Sequence, residues 1–167
     1  MFKLVNMHRA FLIKETVVSM MINLLLSAAI TFLTFRSQTT IMLWGSGGLF
    51  FDLIPTFFIM IFCMGAIITP TMRKRIEKGA APSAPSHFKN FLFFRIQPKL
   101  SIFRGIFFGG LGLLVLLPIS IGLLVWLFPF PLSFKEILVM KSALGILIGL
   151  VLTPPIVISA MVDKCGS

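Results

Sequence analysis

Long uncharged runs alternate with short basic clusters along this chain. Residues 16–35 carry no charge over 20 positions. Between Arg36 and Arg73 the only charge is Asp52, and residues 53–72 add a further 20 uncharged positions. Residues 105–134 give 30, and residues 142–162 give 21. An α-helix rises about 1.5 Å per residue, so roughly 20 residues cross a hydrocarbon core about 30 Å thick. The runs are continuous and do not alternate, which argues against β-strands. The pattern therefore predicts an all-α fold, an integral membrane bundle of four transmembrane helices at about 15–35, 48–71, 104–128 and 134–162. A cleaved signal peptide is the competing reading of the N-terminus. It fits poorly, because the apolar run continues past the small residues Ser27-Ala28-Ala29 to Phe35.

Composition agrees. Of 167 residues, 57% are hydrophobic and 12% charged. Soluble domains carry about 25% charged residues, so there are too few polar groups here to cover a water-exposed globule. Intrinsic disorder is excluded for the same reason. The 15 Lys and Arg against 5 Asp and Glu change the picture by their placement. Lys3, Arg9 and Lys14 precede the first run. Arg73, Lys74, Arg75, Lys78, Lys89, Arg95, Lys99 and Arg104 lie between the second and third. Lys164 follows the fourth. With four spans, these all fall on one side. Basic loops stay in the cytoplasm, so the expectation is a multi-pass protein of a bacterial inner membrane with both termini cytoplasmic. Trp44 and Trp126 fall near the opposite boundary, where indoles favour the interface.

The basic side divides the chain into three parts: a tail and first hairpin (1–72), a basic loop (73–103) and a second hairpin (104–167). Within the loop, residues 79–86 are a small-residue, Pro-containing linker. Residues 88–95 (FKNFLFFR) are aromatic and basic, which suits an interfacial segment on anionic lipids. Nucleic acid would use similar groups, but a short stretch tethered to a membrane at both ends is a poor platform for it.

Sliding the chain against itself sets Asp52 on Glu136, Gly65 on Gly149, Thr69 on Thr153 and Pro70 on Pro154. The two hairpins thus read as a parallel repeat, related by an axis along the membrane normal. Pro70, Pro118 and Pro154-Pro155 should weaken or bend their helices, and the Thr before a Pro can bond a carbonyl freed by the kink.

Polar groups inside the spans are the candidate functional residues. Thr16, Ser19, Asn23, Ser27, Thr31 and Thr34 are spaced to share one face of helix one. Such a stripe packs on neighbouring helices through hydrogen bonds, or lines a polar path. Asn23, Ser27 and Thr31 are its central members. Asp52 and Lys141 are charges within the spans, where an isolated charge is expensive. Counted from the Thr-Pro markers, Lys141 is about five residues deeper, or about 7.5 Å, and its side chain can snorkel most of that distance. The expectation is an Asp52–Lys141 pair, with Arg36 as competitor, locking the two halves together. Glu136, beside Lys135, is expected to be solvated. Gly105-xxx-Gly109 and Gly145-xxx-Gly149 are close-approach motifs, for packing within the bundle or for a homodimer seam.

Catalytic chemistry is not legible. His8 and His87 have no acidic or Cys neighbours at ligand spacing. Cys63 and Cys165 are not expected to form a disulfide. Met60, Cys63 and Met64 share a face that would suit Cu(I), but apolar packing explains them more simply. No catalytic, cofactor or metal motif is found. The expected function is association with other membrane components, as partner, accessory or homo-oligomer. The alternative is a small oligomeric transporter or channel using Asn23, Ser27, Thr31 and Asp52. The orientation has a simple check. An impermeant thiol reagent added to intact cells should leave Cys165 unmodified, and modification would overturn the cytoplasmic C-terminus.

Overall fold

The computed structural model describes residues 2–45, 47–82, 93 and 96–164. Four helices account for nearly all of them: α1 (Phe2–Phe35), α2 (Leu49–Glu77), α3 (Ser101–Leu127) and α4 (Phe134–Lys164). Each is long and apolar enough to span a membrane, which makes the chain a multi-pass membrane protein. The boundaries differ from the sequence reading mainly at one end. α1 begins at Phe2 and not near 15, and α2 continues past Pro70 to Glu77. The helical backbone keeps its own hydrogen bonds in water and lipid alike, so a run of charges does not end it. Pro70 removes one bond without stopping the next turn.

α3 is not uniform. Its middle turn, Gly112–Leu116, is π-helical, and regular helix resumes at Leu117–Leu127. Pro118 explains the widening, because its ring would collide with the carbonyl four residues earlier in a regular helix.

Antiparallel partners are chosen across the sequence as well as along it. α1 packs along α4, α2 packs along α3, and α2 packs in parallel along α4. The direct contact between α1 and α2 is slight, while α4 packs against both. α4 is accordingly the central helix: 56% of its apolar window is buried, against 28%, 39% and 22% for α1, α2 and α3. The two hairpins are contiguous in sequence but interleaved in space.

The main core runs through α2, α3 and α4, from Leu49 to Leu152 and Ile156, and takes in Phe35 at the end of α1. A smaller cluster of Met72, Val157, Ala160 and Met161 closes the end that carries the basic loop, with Phe11 and Leu12 of α1 against it. At the opposite end the two short loops are tied together. Ile41 and Leu132 exchange backbone hydrogen bonds of 2.9 and 3.0 Å, and both side chains are buried. Trp44 and Trp126 sit exposed at this end.

Small residues set the two antiparallel interfaces. A Cβ on Gly105 would lie 2.7 Å from the Phe62 carbonyl oxygen, whereas one on Gly110 would meet nothing within 4 Å. Gly105→Ala should therefore force α2 and α3 apart and cost about 1–3 kcal/mol. Gly110→Ala should leave stability unchanged or slightly raised. Thermal unfolding of both variants in detergent micelles checks this, and equal effects would contradict the interface.

Candidate functional site

α1 turns one polar face inward. Thr16, Ser19, Asn23, Ser27 and Thr31 are all buried, while Thr34, the last expected member of the stripe, is exposed. The stripe packs on α4. A Cβ on Gly145 would lie 2.7 Å from the Asn23 carbonyl oxygen, and one on Gly149 would lie 2.9 Å from the Met20 Cα. The helices can approach this closely only because those positions lack side chains. The Ser27 hydroxyl donates to the Lys141 carbonyl at 2.6 Å, and the Thr31 hydroxyl donates back to the Ser27 carbonyl at 2.7 Å. Asn23 Nδ2 lies 3.1 Å from Met64 Sδ and 3.5 Å from Ser19 Oγ, both weak contacts. The space between Ser27, Thr56, Phe57, Lys141 and Gly145 is too tight for a water molecule.

Gly105 and Gly109 serve the other interface. Gly105 meets Gly65 and Phe62, and Gly109 lies under the Phe58 ring. The two Gly motifs therefore belong to different helix pairs within one chain, α2–α3 and α1–α4.

Charge joins α2 to α4 at both ends. Near the short loops, the Lys141 ammonium donates to Asp52 Oδ2. The Lys141 side chain is 1% exposed, and that of Asp52 16%. The ammonium also lies 5.4 Å from the centre of the Phe35 ring, whose face favours a cation. Arg36 is not engaged with Asp52. It lies 5.9 Å from the Phe32 ring centre. Near the basic loop the polarity is exchanged, with the acid on α4. Arg73 Nη2 lies 2.6 Å from Asp163 Oδ2, and Arg104 Nη2 donates to Asp163 Oδ1 at 3.0 Å. Arg104 Nη1 is 2.8 Å from Oδ2, a charge contact without hydrogen-bond alignment. Arg104 Nε donates to the Pro98 carbonyl at 3.1 Å, and Arg73 also donates to the Lys99 carbonyl. Among the described residues, Arg104 is the largest side chain that is fully buried. One carboxylate thus gathers two guanidinium groups from two helices.

Several expectations need correction. The hydroxyls of Thr69 and Thr153 are buried without a partner, so they do not fill the carbonyls freed by Pro70 and Pro154. Near these prolines, the Thr71 hydroxyl donates to the Ile67 carbonyl and the Ser159 hydroxyl to the Pro155 carbonyl. Glu136 is not merely solvated. It accepts from the Ser133 backbone N–H and hydroxyl, each at 2.7 Å, and Ser133 Oγ accepts from the Glu136 N–H at 3.4 Å. That reciprocal arrangement is a capping box for α4. The two acids that the internal alignment superposes therefore do different work. The spatial pairing of α2 with α4 follows a longer separation, 89 for Asp52–Lys141 and 90 for Arg73–Asp163. Most of the aromatic-basic segment 88–95, with His87 and Cys165, lies outside the described residues. Phe93 lies within them, its ring 6.2 Å from that of Phe108.

From sequence, Arg73 and Arg104 read only as loop charges, and nothing singles out Asp163. A spacing signal is nevertheless present: Asp52 to Arg73 and Lys141 to Asp163 are nearly equal separations with opposite charge order. Among the described residues, no three His, Cys, Asp or Glu side chains cluster to hold a metal. Comparison with protein-family models, with curated proteins and with solved structures gives no match.

Asp163→Asn should be costly, about 3–5 kcal/mol, because it leaves Arg104 buried without a counter-charge. Arg73→Gln should cost less, about 1 kcal/mol, since Arg73 is partly solvated and Arg104 keeps its partner. Unfolding in micelles compares them, and equal losses would contradict the role given to Arg104.

Proposed function

We propose that this chain is a non-enzymatic membrane protein that acts by association with other membrane components. In this reading it lies in a bacterial inner membrane with both termini and the basic loop cytoplasmic. The observation that carries the proposal is the use of its intramembrane polar groups. Ser27, Asp52, Lys141 and the backbone around Asn23 are engaged in holding one helix to another, and the Thr31 hydroxyl bonds back within α1. The transporter or channel alternative needs those groups to line a path, and the space between Ser27 and Lys141 admits no water.

What the bundle offers outward is apolar. α3 exposes Phe103, Ile106, Leu114, Ile119 and Trp126 along its length. Such a face is equally at home against lipid or against another helix, so burial of a partner helix there rests on close packing. The cations at the basic end, including exposed Lys74, Arg75 and Lys99, favour an anionic leaflet beside it. No role for nucleic acid is proposed.

Purification from native membranes in mild detergent should recover a second membrane protein, or a second copy of this chain, in fixed stoichiometry. The same protein in liposomes should give no solute flux. A monomer without partner, with flux abolished by Asn23→Leu while the protein still folds, would overturn the proposal in favour of transport.

A further inference from the structure

α1 and α2 make little direct contact with each other, and a cleft lies between them. This cleft has a volume of about 230 Å³ and opens sideways, toward the surroundings of the bundle. Its walls are Val18, Ile22 and Leu26 on α1 and Met60, Cys63 and Ile67 on α2, each set at helical spacing. Ser19 and Asn23 lie at its floor, where they already contact each other and Met64. The charges are confined to one end. There Arg75 pairs with Glu15 across the mouth, joining the two helices.

We propose that this cleft holds one acyl chain of an anionic phospholipid, with the lipid phosphate at Arg75. Four features support that occupant. First, the cleft is lined mainly by apolar side chains, as an acyl chain requires. Second, the α1 wall runs from Glu15 to Leu26, about three helical turns. That is roughly 16 Å of helical rise, close to the depth of one leaflet, which is half of a hydrocarbon core about 30 Å thick. Third, Met60, Met64 and Met72 line the cleft, and their flexible, polarizable side chains adapt to a chain without fixed shape. Fourth, the polar end carries the right charge. The Arg75 side chain is 44% exposed, and its pairing with Glu15 leaves further guanidinium donors for a phosphate. Lys14 and Lys78, both exposed, extend the positive field at the same end, where Glu77 and Asp163 are further acids. The proposal holds for either orientation of the bundle and does not rest on the association reading.

The test uses the full chain with Cys165→Ser, so that Cys63 is the single thiol. In detergent, native mass spectrometry compares phosphatidylglycerol with phosphatidylcholine of identical acyl chains. In parallel, an apolar maleimide reports on Cys63. Phosphatidylglycerol should be retained preferentially and should protect Cys63, while inorganic phosphate alone should not. Arg75→Gln should weaken retention by about tenfold, the size expected for a lost charge-assisted hydrogen bond. Ile67→Trp, at an exposed position, should fill the cleft and abolish Cys63 protection without unfolding the protein. Lys99→Gln, on the basic loop, should change neither readout. Equal retention of the two lipids, or retention unaffected by both Arg75→Gln and Ile67→Trp, would overturn the site. Protection of Cys63 by a copurifying protein in lipid-free detergent would overturn it too.

Discussion

A charge that leaves water for hydrocarbon must take its counter-charge with it, and this constraint fixes how α2 lies on α4. Asp52 meets Lys141 at one end of the pair, and Asp163 meets Arg73 and Arg104 at the other. Sliding α2 by one turn would separate Asp52 from Lys141 and Arg73 from Asp163 at once, by about 5.4 Å. Buried pairs contribute little net stability over apolar packing, but breaking one is expensive, so their effect is to exclude other registers. The exchange of polarity between the two ends adds to this, because an antiparallel arrangement of α2 and α4 would bring like charges together.

The remaining architecture follows from that parallel pair. α4, held to α2 at both ends, presents Gly145 and Gly149 to α1, and the polar stripe of α1 is absorbed in that contact. α2, on its other side, takes the Gly105 and Gly109 face of α3. Each antiparallel interface is a place where backbones approach, so dispersion and short hydrogen bonds replace the hydrophobic effect that lipid does not supply. The cost is a cleft between α1 and α2, which are neighbours in sequence but not in close packing.

Much of this is legible in the sequence. The four spans and the inward face of Thr16, Ser19, Asn23, Ser27 and Thr31 follow from period and helical rise, which are local properties. The partner of the stripe is not legible. Spacing shows that Ser19, Asn23 and Ser27 share a face, but not that the face meets α4, since that depends on the long-range register of another pair. Arg104 and Asp163 are hidden for a related reason. At a helix end, a loop charge and a buried one look alike in sequence, and burial of Arg104 depends on Pro98 and Asp163 folding over it. The repeat is a guide to punctuation and not to role. Asp52 makes an interhelical pair where Glu136 caps its own helix, and the Thr hydroxyls before Pro70 and Pro154 remain unpartnered.

The charged groups buried between the helices are committed to holding them together. That account depends on the charge pairing across α2 and α4. Its most direct test is a double-mutant cycle on Asp52 and Lys141, read by unfolding in micelles. Lys141→Met alone and Asp52→Asn alone should each destabilise, and the double variant should recover most of the loss, giving a coupling of about 1–3 kcal/mol. Additive losses, with no recovery in the double variant, would contradict it.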